Sequence, residues 1–295
     1  MVRLPGGVRG MATRDASWAA WVDRLPGLAD DLLREWDLAR DGLAQHGNCA
    51  LVLPVRSRDG EAAMLKITYP HEEAALEHLA LQHWHGDGAV RLLRADPHRF
   101  ALLLERLHDE KLTEVWDVEA CEVVAGLYAR LHVPAPPQLT RLSTWCTRWQ
   151  SDLAALPRGG PVPHRFVEQA RAIAGDFATD PGTDGRLVHT DLHYLNVLSS
   201  DREPWLAIDP KPLSGDPHYE PAPMLWNRWD DVVAGGRVRD AVRQRFHTLV
   251  DVAGLDEDRA RAWVVLREVL YAVDAVDDDP EGVTTSITIA KAVQD

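Results

Sequence analysis

The sequence lacks the marks of several large protein classes. No apolar run is long enough to span a bilayer. The basic start at residues 1–17 has no apolar stretch behind it, so it does not read as a secretory signal. Cysteine is scarce. Cys49, Cys121 and Cys146 are an odd set without close spacing, which argues against a disulfide framework or a zinc knuckle and fits a reducing cytoplasm. There is no G-x-x-x-x-G-K-[ST] phosphate loop, no G-x-S-x-G elbow and no H-E-x-x-H pair. Internal repeats and low-complexity linkers are also missing. Basic residues are in deficit: 32 Lys and Arg stand against 46 Asp and Glu, a formal net charge of −14. Such a surface repels nucleic acid and anionic lipid and attracts cations, although charge alone mainly reports solubility.

What is present suits one large domain or two lobes, since 295 residues at 45% hydrophobic content can bury a sizeable core. Residues 1–15 read as a loose arm, with Met11 an alternative start. Over residues 16–39 Trp18, Trp21, Leu25, Leu28, Leu32 and Trp36 recur at helical spacing, and Pro26 with Gly27 divides them into two short helices. Residues 50–55 form an apolar strand, Asp59 and Gly60 a hairpin turn, and residues 62–69 the return strand, which carries Lys66. A helix follows from His71 to about Trp84, then strands at 89–95 and 100–107. Beyond Leu107 the pattern is helical, over 118–133, 142–153, 162–178 and most of 222–294. The expectation is an α+β chain. Residues 1–107 would form a small antiparallel sheet with one packed helix, and residues 108–295 a mainly helical lobe.

The informative segment begins at His189, Thr190 and Asp191 and runs through Leu192 to Asn196. Two apolar runs, 197–198 and 205–208, flank a polar turn and read as a hairpin that ends at Asp209. Hairpin geometry sets Asn196 and Asp209 at one mouth, with Asp191 on the loop before them. That trio suits phosphoryl transfer. Asn196 and Asp209 would hold Mg²⁺, which takes few protein carboxylates, while Asp191 would orient the acceptor hydroxyl and take its proton. The order matches the kinase loop H-R-D-L-x-x-x-N and its later metal Asp. His189 reads as scaffold, and His193 as a surface or loop-packing residue.

In the front half Lys66 interrupts an apolar strand. In a two-lobed protein-kinase-like fold such a lysine reaches the ATP phosphates and pairs with a helix glutamate. Glu73 and Glu77 lie four apart on one helix face, and either can serve, with Glu77 favoured. Gly47 is a candidate for the tight turn over the phosphates. Backbone groups of Glu105 and Leu107 are candidates for holding adenine.

At this point the chain resembles the aminoglycoside phosphotransferases, within the streptomycin 6-kinase and hydroxyurea-resistance group. The resemblance rests on residues 86–93, 102–107, 189–198 and 202–217, and it spans the chain from about Trp18 to the C-terminal helices. It implies ATP and Mg²⁺ as cofactors and phosphate transfer to a drug hydroxyl, with Asp191 as base, Asn196 and Asp209 as metal ligands and Lys66 on the phosphates. Thr190 stands where protein kinases have Arg, and Pro210 follows the metal Asp. Both point to a site formed without activation-loop control. Lys211 is read as either a phosphate contact or a solvated residue.

Acceptor-site candidates are Glu220, Trp226, Trp229, Asp230, Asp231 and Asp274, since carboxylates with aromatics suit guanidinium or ammonium groups. The expected partner is a cationic small molecule. Nucleic acid and membrane are not expected partners, and the chain is read as a cytoplasmic monomer or weak dimer. Two alternatives stand beside this reading: a kinase of another small hydroxylated compound, and a degenerate nucleotide-binding module, which would lack one of Lys66, Asp191, Asn196 or Asp209.

Overall fold

The computed structural model describes residues 2–294. The chain divides into two compact units, Met1–His108 and Asp109–Asp295, one residue past the expected boundary.

The first unit holds α1 (Gly6–Met11), α2 (Ala16–Glu35), β1 (Ala39–Arg40), β2 (Gln45–His46), β3 (Ala50–Arg56), β4 (Ala62–Thr68), α3 (Glu77–Trp84), β5 (Leu92–Asp96) and β6 (Ala101–Glu105). The sheet is antiparallel in the order β1-β3-β4-β6-β5, with β2 paired to the start of β3. Side chains alternate across a strand. Leu51, Leu53 and Val55 of β3 and Ala63, Leu65 and Ile67 of β4 therefore share one face, and they form a core with Leu25, Ala29 and Leu32 of α2. Lys66 lies between Leu65 and Ile67 and so turns to the opposite face.

Three expectations change here. The arm at residues 1–15 is not loose: α1 buries Val8 completely and Met11 nearly so, and Val2 joins the same core. Residues 16–35 form one helix instead of two, with Pro26 inside it. An interior proline costs about 3 kcal/mol. Burial of Trp21, Val22, Leu25, Ala29, Leu32 and Leu33 along one stripe offsets that cost. Finally, residues 72–76 are turns, and helix α3 begins only at Glu77.

The second unit holds α4 (Asp117–Leu131), α5 (Leu142–Ala155), α6 (His164–Thr179), β7 (Arg186–Val188), β8 (Val197–Leu198), β9 (Leu206–Ala207), β10 (Leu213–Gly215), α7 (Ala222–Trp226), α8 (Trp229–Ala234), α9 (Val238–Ala253), α10 (Glu257–Asp274) and α11 (Pro280–Ala292). Its core joins α5, α6, α10 and α11 through Leu153, Phe166, Phe177, Trp263 and Ile287, with Phe177 and Trp263 stacked 4.0 Å apart. Two ribbons are embedded in the helices: β7 pairs β10, and β8 pairs β9. Gly215 permits the first of these. A Cβ there would lie 2.7 Å from Val188 Cγ2 and 3.2 Å from Leu142 Cδ2. Cys121 and Cys146 are core residues whose thiols burial pushes up to about 12, so they act as inert filler. No helix among the described residues is long and apolar enough to cross a membrane.

Glu268 on α10 is a buried carboxyl without a well-formed hydrogen bond to either oxygen. Burial pushes its ionisation well above the usual value of 4.5. Ser286 on α11 and the charge of Arg267 oppose that shift without reversing it. The folded state therefore holds this proton more tightly than the unfolded chain does. The resulting stability is fully present below the unfolded value and is lost as pH rises through the folded one. Glu268→Gln should then stabilise the protein by about 1–3 kcal/mol at pH 8 and by almost nothing at pH 4. Denaturant titration of both proteins at the two pH values tests this. An equal difference at both would remove the assignment.

Candidate active site

The loop from His189 to Asn196 runs between β7 and β8 and is tied at both ends. At its start Lys211 N donates to His189 O at 3.0 Å, continuing the β7–β10 ribbon. At its end Ile208 N donates to Asn196 O at 2.9 Å, continuing the β8–β9 ribbon. Asp209 is therefore next to the residue paired with Asn196, at the mouth of the hairpin.

Within the loop Thr190 has φ of 66°, a left-handed conformation unfavourable for a β-branched residue. All of its polar groups are held. Its amide donates to Glu220 Oε1 and Oε2 at 3.2 Å, its carbonyl accepts from Arg267 Nη2 at 2.8 Å, and its hydroxyl donates to Lys211 O at 2.7 Å. The His189 amide donates to Glu220 Oε1 at 2.5 Å. The His189 ring donates from Nε2 to Ile208 O at 2.9 Å, leaving Nδ1 to accept from the Asp191 amide at 3.3 Å. Burial lowers the His189 pKa, so the imidazole is neutral and acts as a scaffold tie.

Asp191 follows this reversal, its side chain still 16% exposed. Lys211 Nζ lies 3.1 Å from Asp191 Oδ2, and His193 Nε2 lies 3.7 Å from Oδ1. His193 Nδ1 accepts from Leu195 N at 3.2 Å, and burial lowers the His193 pKa as well. Asn196 Nδ2 donates to the Asp191 carbonyl at 2.8 Å. That bond leaves Oδ1 as the amide atom available to a cation. Among the described residues no cluster of three His, Cys, Asp or Glu forms a metal cage. The donor set at this mouth is one carboxylate, Asp209, and one amide oxygen, Asn196. Such a hard, sparse set fits Mg²⁺ completed by phosphate and water.

In the first unit Lys66 and Glu77 are both buried, and Lys66 Nζ donates to Glu77 Oε1 at 2.7 Å and to Oε2 at 2.8 Å. Glu73 is exposed on the turn before α3. Gly47 lies in the β2–β3 hairpin and donates its amide to Ala50 O at 3.1 Å. Glu105 ends β6. Its amide donates to Arg91 O at 3.0 Å and its carboxylate accepts from Arg91 N at 2.7 Å, so that amide is already bonded within the sheet. Leu107 follows the strand and is half-buried.

The acceptor-site candidates separate. Glu220 is corrected: its carboxylate is wholly buried beneath the loop, bonded to the His189 and Thr190 amides and 3.5 Å from His132 Nε2. A lone charge in a surface pattern and a buried anchor look alike in sequence. Trp226 ends α7 and Trp229 starts α8, both half-buried. Asp230 and Asp231 are exposed, Asp231 in an ion pair with Arg228 at 2.7 Å. Asp274 is exposed at the end of α10.

Other residues join the site without having been singled out. Arg267, buried on α10, holds Thr190 O and Tyr219 O. Asp117 at the start of α4 accepts from Tyr194 Oη at 2.6 Å and from Arg245 at 2.7 and 2.9 Å, anchoring the far side of the loop. Lys211, read from the sequence as either a phosphate contact or a solvated residue, lies 3.1 Å from Asp191 Oδ2.

Residues 35–279 match the family described as aminoglycoside/hydroxyurea antibiotic resistance kinase. Streptomycin 6-kinase of Streptomyces glaucescens is 40% identical over 281 residues, covering 93% of this chain and 91% of that protein. Hydroxyurea phosphotransferase of Kitasatospora aureofaciens is 42% identical over 273 residues, 89% of this chain and 76% of that protein. Among solved structures, a thermostable mutant of aminoglycoside phosphotransferase APH(4)-Ia in ternary complex with ADP and hygromycin B shares the fold, with a TM-score of 0.61 at 15% identity over 90% of this chain and 97% of that one. With kinase fold, loop geometry and relatives in agreement, the chain belongs to the aminoglycoside/hydroxyurea antibiotic resistance kinases.

Proposed function

We propose that the protein transfers the γ-phosphoryl group of ATP to a hydroxyl of streptomycin or a close cationic relative, and so inactivates the drug. The observation that carries this reading is Asp191, a carboxylate on a strained, fully tied loop with Lys211 Nζ at 3.1 Å and the Asn196–Asp209 mouth behind it. Asp191 takes the acceptor proton as the oxygen–phosphorus bond forms and the bond to the β-phosphate oxygen breaks. Lys66, oriented by Glu77, holds nucleotide phosphate, and Lys211 neutralises charge on the transferring group. Asn196 and Asp209 would hold Mg²⁺, which when bound supplies further neutralisation of phosphate charge.

The choice of acceptor follows the relatives. Identity is 40% to streptomycin 6-kinase and 30% to the streptomycin 3''-kinase of Klebsiella pneumoniae, which favours the 6-hydroxyl. The 42% identity to hydroxyurea phosphotransferase supports hydroxyurea as the second acceptor to try. ADP release should appear with ATP and streptomycin, and the product should gain one phosphate by mass, placed by fragmentation. ATP binding without turnover of streptomycin, hydroxyurea or any cationic sugar would overturn the proposal.

A further inference from the structure

Helix α10 carries Arg267, Tyr271 and Asp274 at spacings of four and three, so they follow one another along one stripe. The stripe starts at the catalytic loop, because Arg267 Nη2 is bonded to the carbonyl of Thr190, the residue before Asp191. One turn on, the Tyr271 ring meets Trp226 edge to face, with centroids 4.3 Å apart at 62°. The Arg267 guanidinium lies over the Trp226 ring, 5.4 Å from its centroid, and so backs the pair. Tyr271 nevertheless keeps 41% of its surface exposed. Burial pushes the ionisation of its hydroxyl up, against the charge of Arg267. One turn further, Asp274 presents an exposed carboxylate. A partly exposed aromatic ring thus follows Arg267, which holds the catalytic loop, and precedes a second acid on the same helix stripe, and no step of the transfer described above uses it.

We propose that Tyr271, braced by Trp226 and flanked by Asp274, is the platform on which a guanidinium group of the acceptor stacks while the neighbouring hydroxyl faces Asp191. This rests on the antibiotic-kinase reading and narrows it to acceptors bearing planar cations. A guanidinium is flat, delocalised and weakly hydrated, so it gains from stacking on an aromatic face. An ammonium keeps its water and gains less. The in-plane N–H groups of a stacked guanidinium point outward at its rim, where a carboxylate such as Asp274 accepts them in pairs. The net charge of −14 draws such cations toward the surface.

The test compares the full-length protein with Tyr271→Leu and Tyr271→Phe. It measures KM and kcat for streptomycin, streptomycin binding by calorimetry with ADP present, and ADP affinity. Streptomycin KM and Kd should rise about tenfold or more in Tyr271→Leu and stay within about threefold in Tyr271→Phe, with ADP affinity unchanged in both. An aminoglycoside whose only cations are ammonium groups should respond little to either variant. If streptomycin is phosphorylated and Tyr271→Leu keeps its KM within twofold, or if Phe loses as much as Leu, the platform is wrong and the kinase reading stands. If streptomycin binds in a Tyr271-dependent way without being phosphorylated, the platform stands and the kinase reading falls. If the wild-type protein neither binds nor phosphorylates streptomycin, both fall.

Discussion

Asp191→Asn should lower kcat for antibiotic phosphorylation by about 10³-fold or more while leaving ATP affinity within about twofold. The substitution keeps the shape of the side chain and removes its charge and basicity. Without a base the acceptor hydroxyl must attack with its proton in place, and Lys211 loses the carboxylate at 3.1 Å that holds it beside the reaction. Stability should hardly change, because that ion pair is partly solvated: Lys211 is 36% exposed, and such pairs contribute little. Steady-state kinetics with nucleotide binding by calorimetry separates the effects. Retention of a tenth of wild-type activity would exclude Asp191 as the base.

Glu220→Gln should damage both properties, with kcat down about 10²-fold and stability down about 3 kcal/mol. Glu220 accepts from the His189 and Thr190 amides in a site with no solvent exposure, and Thr190 beside it is held at φ of 66°. A glutamine turns an N–H₂ group toward donors it cannot bond, so the strained reversal loses one of its anchors and Asp191 its placement. Burial alone would push the Glu220 carboxyl up; the nearby His132 imidazole, 3.5 Å away, and the hydrogen bond from the Thr190 amide outweigh it, and the net shift is down from 4.5. Its stabilising contribution is therefore present above the unfolded value and lost as pH falls through the lower folded one. The stability gap between wild type and Glu220→Gln should narrow on acidification below about pH 4.5, the opposite sign from Glu268→Gln. Paired measurement of melting temperature and kcat decides the role. A variant that loses stability with kcat intact would leave Glu220 a purely structural residue.

The strands β3, β4 and β6, the helices α4 to α6 and the order Asp191, Asn196, Asp209 were legible in the sequence because each depends on neighbours along the chain. Alternating or 3.6-residue apolar spacing marks a face, and Asp59 with Gly60 marks a turn. The α2 break was misread at Pro26 because the energy that keeps that helix continuous comes from the sheet it covers, which lies farther along the chain. The same core makes a helix of residues 6–11, whose composition looks like a tail. The β8–β9 hairpin was read from the two apolar runs around its polar turn, whereas β7 and β10, three residues each, carry no periodic signal of their own.

The site divides along the same line. Sequence by itself determined the inventory: which residue types occur, in what order, and that an Asn and an Asp flank one hairpin. Tertiary structure alone decided what each charge faces. It buried Glu220 under the loop, drew Lys211 to Asp191, set Arg267 against Thr190 and left Tyr271 open. The physical reason is range. Backbone pattern is local and repeats every two or four residues, whereas ion pairing and burial join groups dozens of residues apart, and only packing brings them within a few ångströms.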